Sequence, residues 1–433
     1  MALAAAKIVA SIEAVRDKLG LGGDCVIAYS GGLDSTVLMH LLARDGRLPL
    51  RALHIDHGLQ EEPAWQRHVK RATDALGLPC RVVSLQLKPG AGDSIEALAR
   101  DARYAAFAAD LQAGDLLLLA QHRDDQAETL LLQLLRGAGP HGLSAMPRLA
   151  ALGPGYALRP LLDVSVDQLR DYARVQGLSW FDDPSNADER FDRNYLRHRV
   201  LPAMRERWPA FGKTLARAAH HQSAAASVLD QQAAADARSI RARGGQLVIS
   251  RLQMLTTARQ RNVLRFVLRA RGLAVPSDRR LGAVLALCQS PAGRGQVAWA
   301  DVVMRRYRDA LFFTQGRLEE PDTAFEVALR LGASIELPCG LGTLKLAGSK
   351  VAGHEPPVLS VRFRRGGERA RLAARGHSQP LAQWFQEQGV PPWERSRVPL
   401  AFWQGDLVGI GDTLVTAQDG MFGSVRLVWE RPT

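Results

Sequence analysis

Two polar clusters with chemically useful residue types each follow an apolar run of the sequence. The first cluster, residues 30–35 with the sequence SGGLDS, follows the apolar run CVIAY. Two adjacent glycines let successive backbone N–H groups approach one anion closely, and a following helix directs its positive N-terminus at the same place. Asp34 would repel a phosphate unless a Mg²⁺ ion bridged the two groups. The cluster therefore predicts a site for a metal-bound polyphosphate, to which Ser30 and Ser35 add hydroxyl donors.

This glycine pair differs from the best-known phosphate-binding loops. A Walker A loop requires Gly-Lys followed by Ser or Thr, and a dinucleotide fold requires GxGxxG, and neither pattern is present. A tight turn between a strand and a helix is the simple alternative.

The second cluster follows the run LLLLA, where His122 precedes Asp124, Asp125 and Glu128. An acid at a helix start with a glutamate one turn later is also a capping arrangement, which would explain part of this pattern. Asp125 and Glu128 share one helix face, where two carboxylates can bind Mg²⁺ or a cationic amine, or accept a proton. A permanent transition metal held with His122 is a weaker hypothesis. His54 precedes Asp56 and His57 at another strand end, and its simplest roles are packing or a contact with a base edge.

The elements that must position these clusters alternate along the first 135 residues. Apolar runs at 25–30, 50–58, 80–87 and 115–122 alternate with amphipathic segments at 3–19, 35–44, 63–77, 94–112 and 124–137. Such alternation predicts a parallel sheet with helices on both faces, and ligands bind at the carboxyl ends of its strands. Both clusters are therefore expected at one edge of the sheet.

The rest of the chain has a different pattern. Residues 137–160 are rich in Gly and Pro and predict a long loop, residues 210–240 a long helix, residues 245–315 a mainly helical region, and residues 320–433 short strands with one helix. The sequence thus predicts an α/β protein with a parallel-sheet domain (1–210), a mainly helical domain (211–318) and a smaller α+β C-terminal domain (319–433).

The charge distribution separates the same regions. The net charge is +12, but residues 1–130 hold 14 Lys/Arg and 17 Asp/Glu, so all of the excess positive charge lies after them. A basic region of this kind is typical of a nucleic-acid partner, although an arginine-rich solvated surface is an equal alternative. Four scattered cysteines without a CxxC pair predict a reducing, cytoplasmic environment, and no signal peptide or membrane span is expected.

The glycine cluster resembles the signature of the PP-loop, or N-type, ATP pyrophosphatases, whose domain is adenine-nucleotide α-hydrolase-like. The segment QHRDDQAET (121–129) is similar to a segment of the tRNA(Ile)-lysidine synthetase family. The resemblance continues in order through HIDHGLQ (54–60), IEALARDARY (95–104), RGAGPHGLSAM (136–146), LRPLL (158–162) and residues 181–202. It extends into the C-terminal region through RFRRGGERARL (362–372) and residues 381–410.

This resemblance implies an enzyme, a ligase that joins L-lysine to carbon 2 of the wobble cytidine of the isoleucine tRNA with a CAU anticodon. ATP would first adenylate the base, and lysine would then displace AMP, with pyrophosphate as the other product. The implied ATP-binding residues are Ser30, Gly31, Gly32, Leu33, Asp34, Ser35 and His54. The implied catalytic residues are Asp34, Asp125, Glu128, Arg103 and His122, with Asp34 sharing a transient Mg²⁺ with ATP and no permanent metal expected. Arg100 is an alternative to Arg103 for the phosphate contact.

The resemblance also implies contacts with tRNA. Arg193, Asn194 and Arg197 belong to a stretch of arginines around Tyr195, and Arg364 and Arg365 to a basic C-terminal patch. An ordinary basic helix face is the alternative for the first group. Ala382 and Gln383 stand where the family usually has lysines, which weakens the prediction of phosphate contacts from that helix. A homodimer is possible.

Three rival functions are less well supported by the sequence. A tRNA thiolase of the PP-loop class would need a cysteine pair or an iron–sulfur cluster, and an amidotransferase would need a glutaminase cysteine. A non-catalytic tRNA-binding protein with a decayed nucleotide fold should have lost Asp34 or one of the glycines. All six residues of the loop are intact.

Overall fold

The structure is a computed structural model that describes residues 5–56, 63–85, 95–242, 245–290, 294–316, 318–348, 358–371, 378–414 and 425–431. The chain divides into two compact units, Met1–Leu229 and Asp230–Thr433. The division falls inside one long helix, whereas the predicted boundary between the first two domains lies at the beginning of that helix. Residues 86–94, where the sequence predicts a Gly-rich loop between the third strand and the next helix, and His57 lie outside the described residues.

The first unit alternates strands and helices as the apolar pattern predicts. A π-helix over Leu196–Val200 joins the helix Asp192–Tyr195 to the helix Leu201–Arg207. The elements are α1 (Ala5–Leu19), β1 (Cys25–Ala28), α2 (Leu33–Asp45), β2 (Leu50–Asp56), α3 (Pro63–Ala75), β3 (Cys80–Ser84), α4 (Ile95–Asp110), β4 (Leu116–Leu118), α5 (Arg123–Leu135), α6 (Pro140–Leu143), β5 (Leu149–Leu152), β6 (Gly155–Leu158), α7 (Val166–Val175), α8 (Asp192–Tyr195), α9 (Leu201–Arg207) and α10 (Phe211–Ile240).

The strands of this unit form a six-stranded sheet in the order β3-β2-β1-β4-β6-β5. Parallel pairing places Cys25 beside both Leu50 and Leu116, so β1 lies between β2 and β4. The chain runs from β1 outward to β3 on one side and returns to β4 on the other. This reversal makes a crevice at the carboxyl ends of β1 and β4, which is the usual ligand position in such sheets.

Alternate side chains of β1 pack on opposite faces of the sheet. Cys25 and Ile27 belong to a buried cluster with residues of α1, α2, α3 and α7, whereas Val26 belongs to a second cluster, which includes Phe107 of α4 and Leu111, just after that helix. Because strand side chains alternate with a period of two, a continuous apolar run must be covered on both faces. The predicted parallel sheet with helices on both faces is confirmed.

The region 137–160 differs from its prediction as a long loop. It contains the short helix α6 and the hairpin β5–β6, which pairs antiparallel at the edge of the sheet. Gly153 closes the hairpin with φ +54°, and a Cβ there would lie 2.7 Å from the Ala108 carbonyl oxygen. The Gly and Pro content therefore marks a tight turn between two strands rather than the absence of strands.

The second unit contains the end of α10 and the remaining elements. Three helices pack with a four-stranded antiparallel sheet (β7-β10-β9-β8), and three further sheets follow, of five strands (β11-β14-β17-β18-β19), three strands (β12-β13-β20) and two strands (β15-β16). The elements are β7 (Leu247–Val248), α11 (Ile249–Gln253), α12 (Thr257–Ala270), α13 (Asp278–Gln289), β8 (Arg294–Trp299), β9 (Val302–Tyr307), β10 (Ala310–Gln315), β11 (Glu326–Leu329), β12 (Ser334–Glu336), β13 (Thr343–Gly348), β14 (Leu359–Arg362), β15 (Arg369–Arg371), β16 (Ser378–Pro380), α14 (Leu381–Glu387), β17 (Leu400–Trp403), β18 (Asp406–Ile410), β19 (Thr413–Leu414) and β20 (Val425–Glu430).

The predicted fold class is confirmed, since a parallel-sheet domain precedes a helical region and a C-terminal region of antiparallel sheets. Among the helices in the described ranges, none combines the length and the apolar character needed to span a bilayer.

Candidate active site

The glycine loop, residues 30–35, lies at the carboxyl end of β1, and Gly32 is the N-cap of α2. Its two serines bond within the loop: their Oγ atoms are 3.0 Å apart, and the Ser35 hydroxyl donates to the Gly32 carbonyl at 3.1 Å. The Ser30 N–H also donates to Ser35 Oγ at 3.2 Å. The two serines thus stabilise the loop through hydrogen bonds within it. Donation of a hydroxyl group to a phosphate remains a prediction.

Gly31 has the one backbone conformation in this loop that requires glycine. Its φ is +81°, and a Cβ would lie 2.9 Å from Nε1 of Trp65, a residue of α3. The neighbouring Gly32 has φ −79° and an extended backbone, so it needs no left-handed conformation.

We expect Gly31→Ala to lower the affinity for ATP strongly, because the added methyl group both strains the backbone, by about 1–2 kcal/mol, and displaces Trp65. Steady-state kinetics at varied ATP would measure this as a raised KM. Gly46→Ala is a matched control, since Gly46 has φ +73° but nothing within 4 Å of its Cβ position. An equal change of KM in both variants would contradict the contact-based explanation.

His122 is the N-cap of α5 and joins the two clusters. Its Nδ1 accepts from the backbone N–H groups of Asp124 and Asp125 at 3.2 and 3.4 Å. Its Nε2 lies 3.6 Å from Asp34 Oδ2 and 3.5 Å from Asp125 Oδ2. Because Nδ1 is an acceptor, the neutral ring carries its proton on Nε2, which faces both carboxylates.

Asp34 projects from the first turn of α2 toward His122. Burial raises its pKa to about 6, and the neighbouring His122 opposes that rise. Its Oδ1 is buried and has no hydrogen-bond partner among the residues that the structure describes. A buried, unsatisfied carboxylate oxygen is a position that a cation would occupy favourably. No group of three or more His, Cys, Asp or Glu suited to a metal occurs within the described ranges.

Asp125 and Glu128 are already paired in this structure. Arg197 donates to both oxygens of Glu128, at 2.7 and 2.9 Å, and to Asp125 Oδ1 at 3.3 Å. Arg193 Nε lies 3.2 Å from Glu128 Oε2. Glu128 is 1% exposed, and its burial raises its pKa against the opposing effect of Arg197. Both arginines are therefore neighbours of the predicted catalytic carboxylates.

The neighbouring Asp124 supports the fold of the site. Its Oδ1 accepts from Arg205 at 2.7 Å, and its Oδ2 accepts from the Val166 N–H, at the start of α7, at 2.9 Å. This carboxylate thus ties α5 to α7 and α9, and its two bonds leave it turned away from the Asp34 side of His122.

The other predicted residues lie in different surroundings. His54 is buried, and its Nδ1 bonds to the Tyr29 carbonyl oxygen at 2.8 Å, which leaves its Nε2 as the acceptor. Burial also lowers the pKa of His54. Arg103 lies half-buried on α4, next to Tyr104. Asn194 is buried, and its amide donates to the Asp188 carbonyl at 2.9 Å.

The basic patch of the C-terminal region contains several ion pairs. Arg365 Nη2 lies 2.9 Å from Glu326, Arg362 lies 3.1 Å from Glu368, and Arg364 Nε lies 3.8 Å from the same Glu368. These glutamates offset part of the positive charge that the sequence places there. The roles predicted for Arg364 and Arg365 stay predictions.

Sequence reasoning missed two aromatic residues at the loop. Trp65 donates its indole N–H to the Ser30 carbonyl at 2.6 Å, and its ring stacks on Phe181 with centroids 4.7 Å apart. The Phe181 N–H donates to the Gly31 carbonyl at 2.9 Å. No local motif signals these contacts, because they join positions far apart in the sequence.

Three protein-family models match regions of this chain. A family model described as the PP-loop domain matches residues 7–204. Models described as the TilS substrate binding domain and the TilS substrate C-terminal domain match residues 247–312 and 359–429. The fold and the glycine loop thus define an ATP-utilising enzyme of the PP-loop class.

Curated relatives narrow this class to one family. The tRNA(Ile)-lysidine synthase of Alkalilimnicola ehrlichii is 42% identical over 393 residues, which is 88% of each chain. That of Methylococcus capsulatus is 40% identical over 420 residues, covering 93% of this chain and 94% of the relative.

A solved structure, the U34-tRNA thiolase NcsA of Methanococcus maripaludis, is 14% identical with a TM-score of 0.40. The match covers 46% of this chain and 72% of that protein.

This chain belongs to the tRNA(Ile)-lysidine synthase family. The predictions of a ligase and of ATP-dependent lysidine formation on tRNA(Ile) are confirmed.

Proposed function

We propose that the reaction proceeds in two steps at the crevice between β1 and β4. In the first, the carbonyl oxygen of the wobble cytidine attacks the α-phosphorus of ATP, and pyrophosphate leaves. In the second, the amine of L-lysine attacks carbon 2 of the adenylated base, loses a proton, and AMP leaves. The observation that carries this proposal is that His122 Nε2 faces both Asp34 and Asp125, at 3.6 and 3.5 Å. The nucleotide loop and the amine-binding carboxylates thereby share one site.

The test is incorporation of labelled lysine into a transcript of the isoleucine tRNA with a CAU anticodon. With ATP and Mg²⁺ we expect one AMP and one pyrophosphate for each lysine incorporated. Without lysine, we expect pyrophosphate release to stop at a stoichiometric adenylated tRNA. Equal incorporation of labelled lysine into a methionine tRNA with the same anticodon would contradict the proposal. Incorporation of lysine without release of AMP would also contradict it.

Asp34 is the residue proposed to hold Mg²⁺ with ATP. Its buried, unpartnered Oδ1 is a hard oxygen ligand, and Mg²⁺ is commonly held by one or two carboxylates together with substrate phosphates. When bound, the ion would neutralise charge on the leaving pyrophosphate. The glycine loop, including the backbone of Leu33 at the start of α2, would orient that group through its N–H groups and the helix N-terminus. Arg103 is proposed to contact phosphate, and His54 the adenine.

His122 is proposed to act as a hydrogen-bond donor through Nε2. The α5 cap occupies Nδ1, so Nε2–H is available toward the carboxylate side. This arrangement would orient Asp34 and Asp125 toward the shared site.

The pairing of Glu128 with Arg197 bears on how lysine binds. An ammonium group and a guanidinium cannot use the same oxygens of Glu128, and both of these oxygens accept from Arg197. We therefore propose that Arg197 leaves Glu128 for an RNA phosphate when tRNA binds, together with Arg193. Glu128 and Asp125 would then bind the lysine ammonium group and accept its proton. The π-helix that carries Arg197 is a type of helix irregularity often found at functional sites.

The C-terminal region is proposed to bind the tRNA backbone through Arg364 and Arg365. Arg364→Ala should raise the Kd for tRNA about threefold to tenfold and reduce the slope of log Kd against log salt by about one, because one phosphate contact is lost. Filter binding at several salt concentrations would measure both quantities. Arg174→Ala, a change of an exposed arginine on α7, is the control. A weaker affinity with an unchanged salt slope would argue against a phosphate contact.

A cytoplasmic location and a possible homodimer remain proposals. Neither affects the residues assigned above.

A further inference from the structure

Two carbonyl groups of the glycine loop are held by residues outside it. The Ser30 carbonyl accepts the indole N–H of Trp65 at 2.6 Å, and the Gly31 carbonyl accepts the backbone N–H of Phe181 at 2.9 Å. The two donors are themselves joined, since the rings of Trp65 and Phe181 stack with an interplanar angle of 24°. The loop is therefore held by an indole N–H and a backbone N–H, from two residues whose rings stack on each other.

These bonds determine where the loop's N–H groups point. A trans peptide is planar, and its C=O and N–H point in opposite directions. When the Ser30 carbonyl points at Trp65, the N–H of Gly31 must point away from the ring. When the Gly31 carbonyl points at the Phe181 backbone, the N–H of Gly32 likewise points away from that backbone.

The indole ring fits closely against the loop. A Cβ on Gly31 would lie 2.9 Å from Nε1 and 3.4 Å from Cδ1 of Trp65, and 3.4 Å from Cγ2 of Val69 on the same helix. The indole ring both occupies the space beside Gly31 and brings its N–H to the Ser30 carbonyl. A phenylalanine would fill much of the same space without the donor.

We infer that Trp65 is a positioning residue for ATP, which holds the Ser30–Gly31 peptide so that the Gly31 N–H faces the departing pyrophosphate. The inference rests on the proposed function of the glycine loop. Phe181 supports the ring and begins the segment, residues 181–202, that carries Arg193 and Arg197. The two aromatic residues thus link the nucleotide loop to the segment proposed to respond to tRNA.

The test is the variant Trp65→Phe, which keeps an aromatic ring and removes the indole N–H. We expect kcat/KM for ATP to fall about fivefold to tenfold, as for loss of one hydrogen bond, with KM for lysine and Kd for tRNA unchanged. Trp180→Phe is the matched control, because Trp180 donates its indole N–H to Asp182 rather than to the loop, at 3.0 Å. Thermal unfolding of each variant would show that the fold is retained.

A second variant separates the donor from the ring. Phe181→Leu removes the stacked ring but keeps the backbone N–H, so it should weaken ATP use less than Trp65→Phe does. If the wild type makes lysidine and Trp65→Phe shows unchanged ATP kinetics, the inference about Trp65 is overturned and the proposed function is not. Equal losses for ATP and lysine would also overturn it, since a general packing defect affects both. A wild-type protein that incorporates no lysine would instead reject the proposed function.

Discussion

Replacement of Asp34 with asparagine is expected to reduce adenylation of the tRNA by about 10²–10³-fold while the fold stays intact. Asparagine has nearly the same shape, but it lacks the negative charge that would share a cation with the triphosphate. The buried Oδ1 of Asp34 lacks a hydrogen-bond partner within the described part of the chain, so no protein contact depends on it. The loss should therefore appear in chemistry rather than in structure.

The raised pKa of Asp34 makes this expectation testable by pH. Burial raises the pKa to about 6, so the carboxylate loses its charge as the pH falls through 6. The concentration of Mg²⁺ needed for half-maximal adenylation should accordingly rise below pH 6 in the wild type. The asparagine variant lacks this carboxylate, so its Mg²⁺ requirement should rise less than that of the wild type over the same range, where the ATP phosphate also takes up a proton.

Stability should move in the opposite sense to activity. Because the folded protein binds the Asp34 proton more tightly than the unfolded chain does, ionisation of Asp34 above pH 6 costs stability. Asp34→Asn removes this cost, so its unfolding temperature at pH 7.5 should equal or exceed that of the wild type. The difference should vanish toward pH 4, and it should be small throughout because 37% of the side chain is exposed. Pyrophosphate release without lysine measures the loss of adenylation, and thermal unfolding of the same samples measures the change in stability. Retained adenylation would reject the role given to Asp34.

The sheet and its strand-end clusters could be predicted because their signals are local. A continuous apolar run such as CVIA indicates a strand covered on both faces, and the polar residues that follow it must lie at its carboxyl end. Parallel connection then brings the ends of β1 and β4 together, which is why Asp34 and His122 meet. The fold class follows from these features, whereas the enzyme class was implied by the resemblance of residues 30–35 and 121–129 to known families.

The charge state of the site could not be predicted in the same way. Arg197 reads as one arginine of a basic helix face, and its partner Glu128 lies 69 residues earlier in the chain. A salt bridge between residues so far apart in the sequence depends on how two helices pack against each other. No local sequence pattern predicts that packing. The indole donor of Trp65 is hidden for the same reason, because its acceptor lies 35 residues away. Pattern reasoning therefore predicts candidate reacting groups but not the residues with which they pair.

Substitution of glutamine for Glu128 should lower kcat/KM for lysine by about 10²–10³-fold and leave adenylation within a few-fold of the wild type. A buried carboxylate can pair with the charge of the lysine ammonium group and accept its proton, whereas an amide is uncharged and is not a base. Adenylation does not use lysine, so pyrophosphate release in its absence isolates the first step. Transfer of labelled lysine to preformed adenylated tRNA isolates the second.

Arg197→Ala distinguishes this role from a purely structural one. If Glu128 only holds Arg197 in place, Glu128→Gln and Arg197→Ala must show the same kinetic defect. Each variant removes the same bidentate ion pair, whose two bonds measure 2.7 and 2.9 Å. If Glu128 binds lysine, Arg197→Ala leaves its carboxylate available and should weaken tRNA binding without raising KM for lysine at pH 8. In the tRNA-free protein Arg197 opposes the rise in the pKa of Glu128. Because Arg197 is proposed to have left Glu128 once tRNA is bound, the pH profile of lysine transfer at saturating tRNA should be the same in Arg197→Ala and the wild type. A shifted profile would show that Arg197 stays with Glu128 during the reaction.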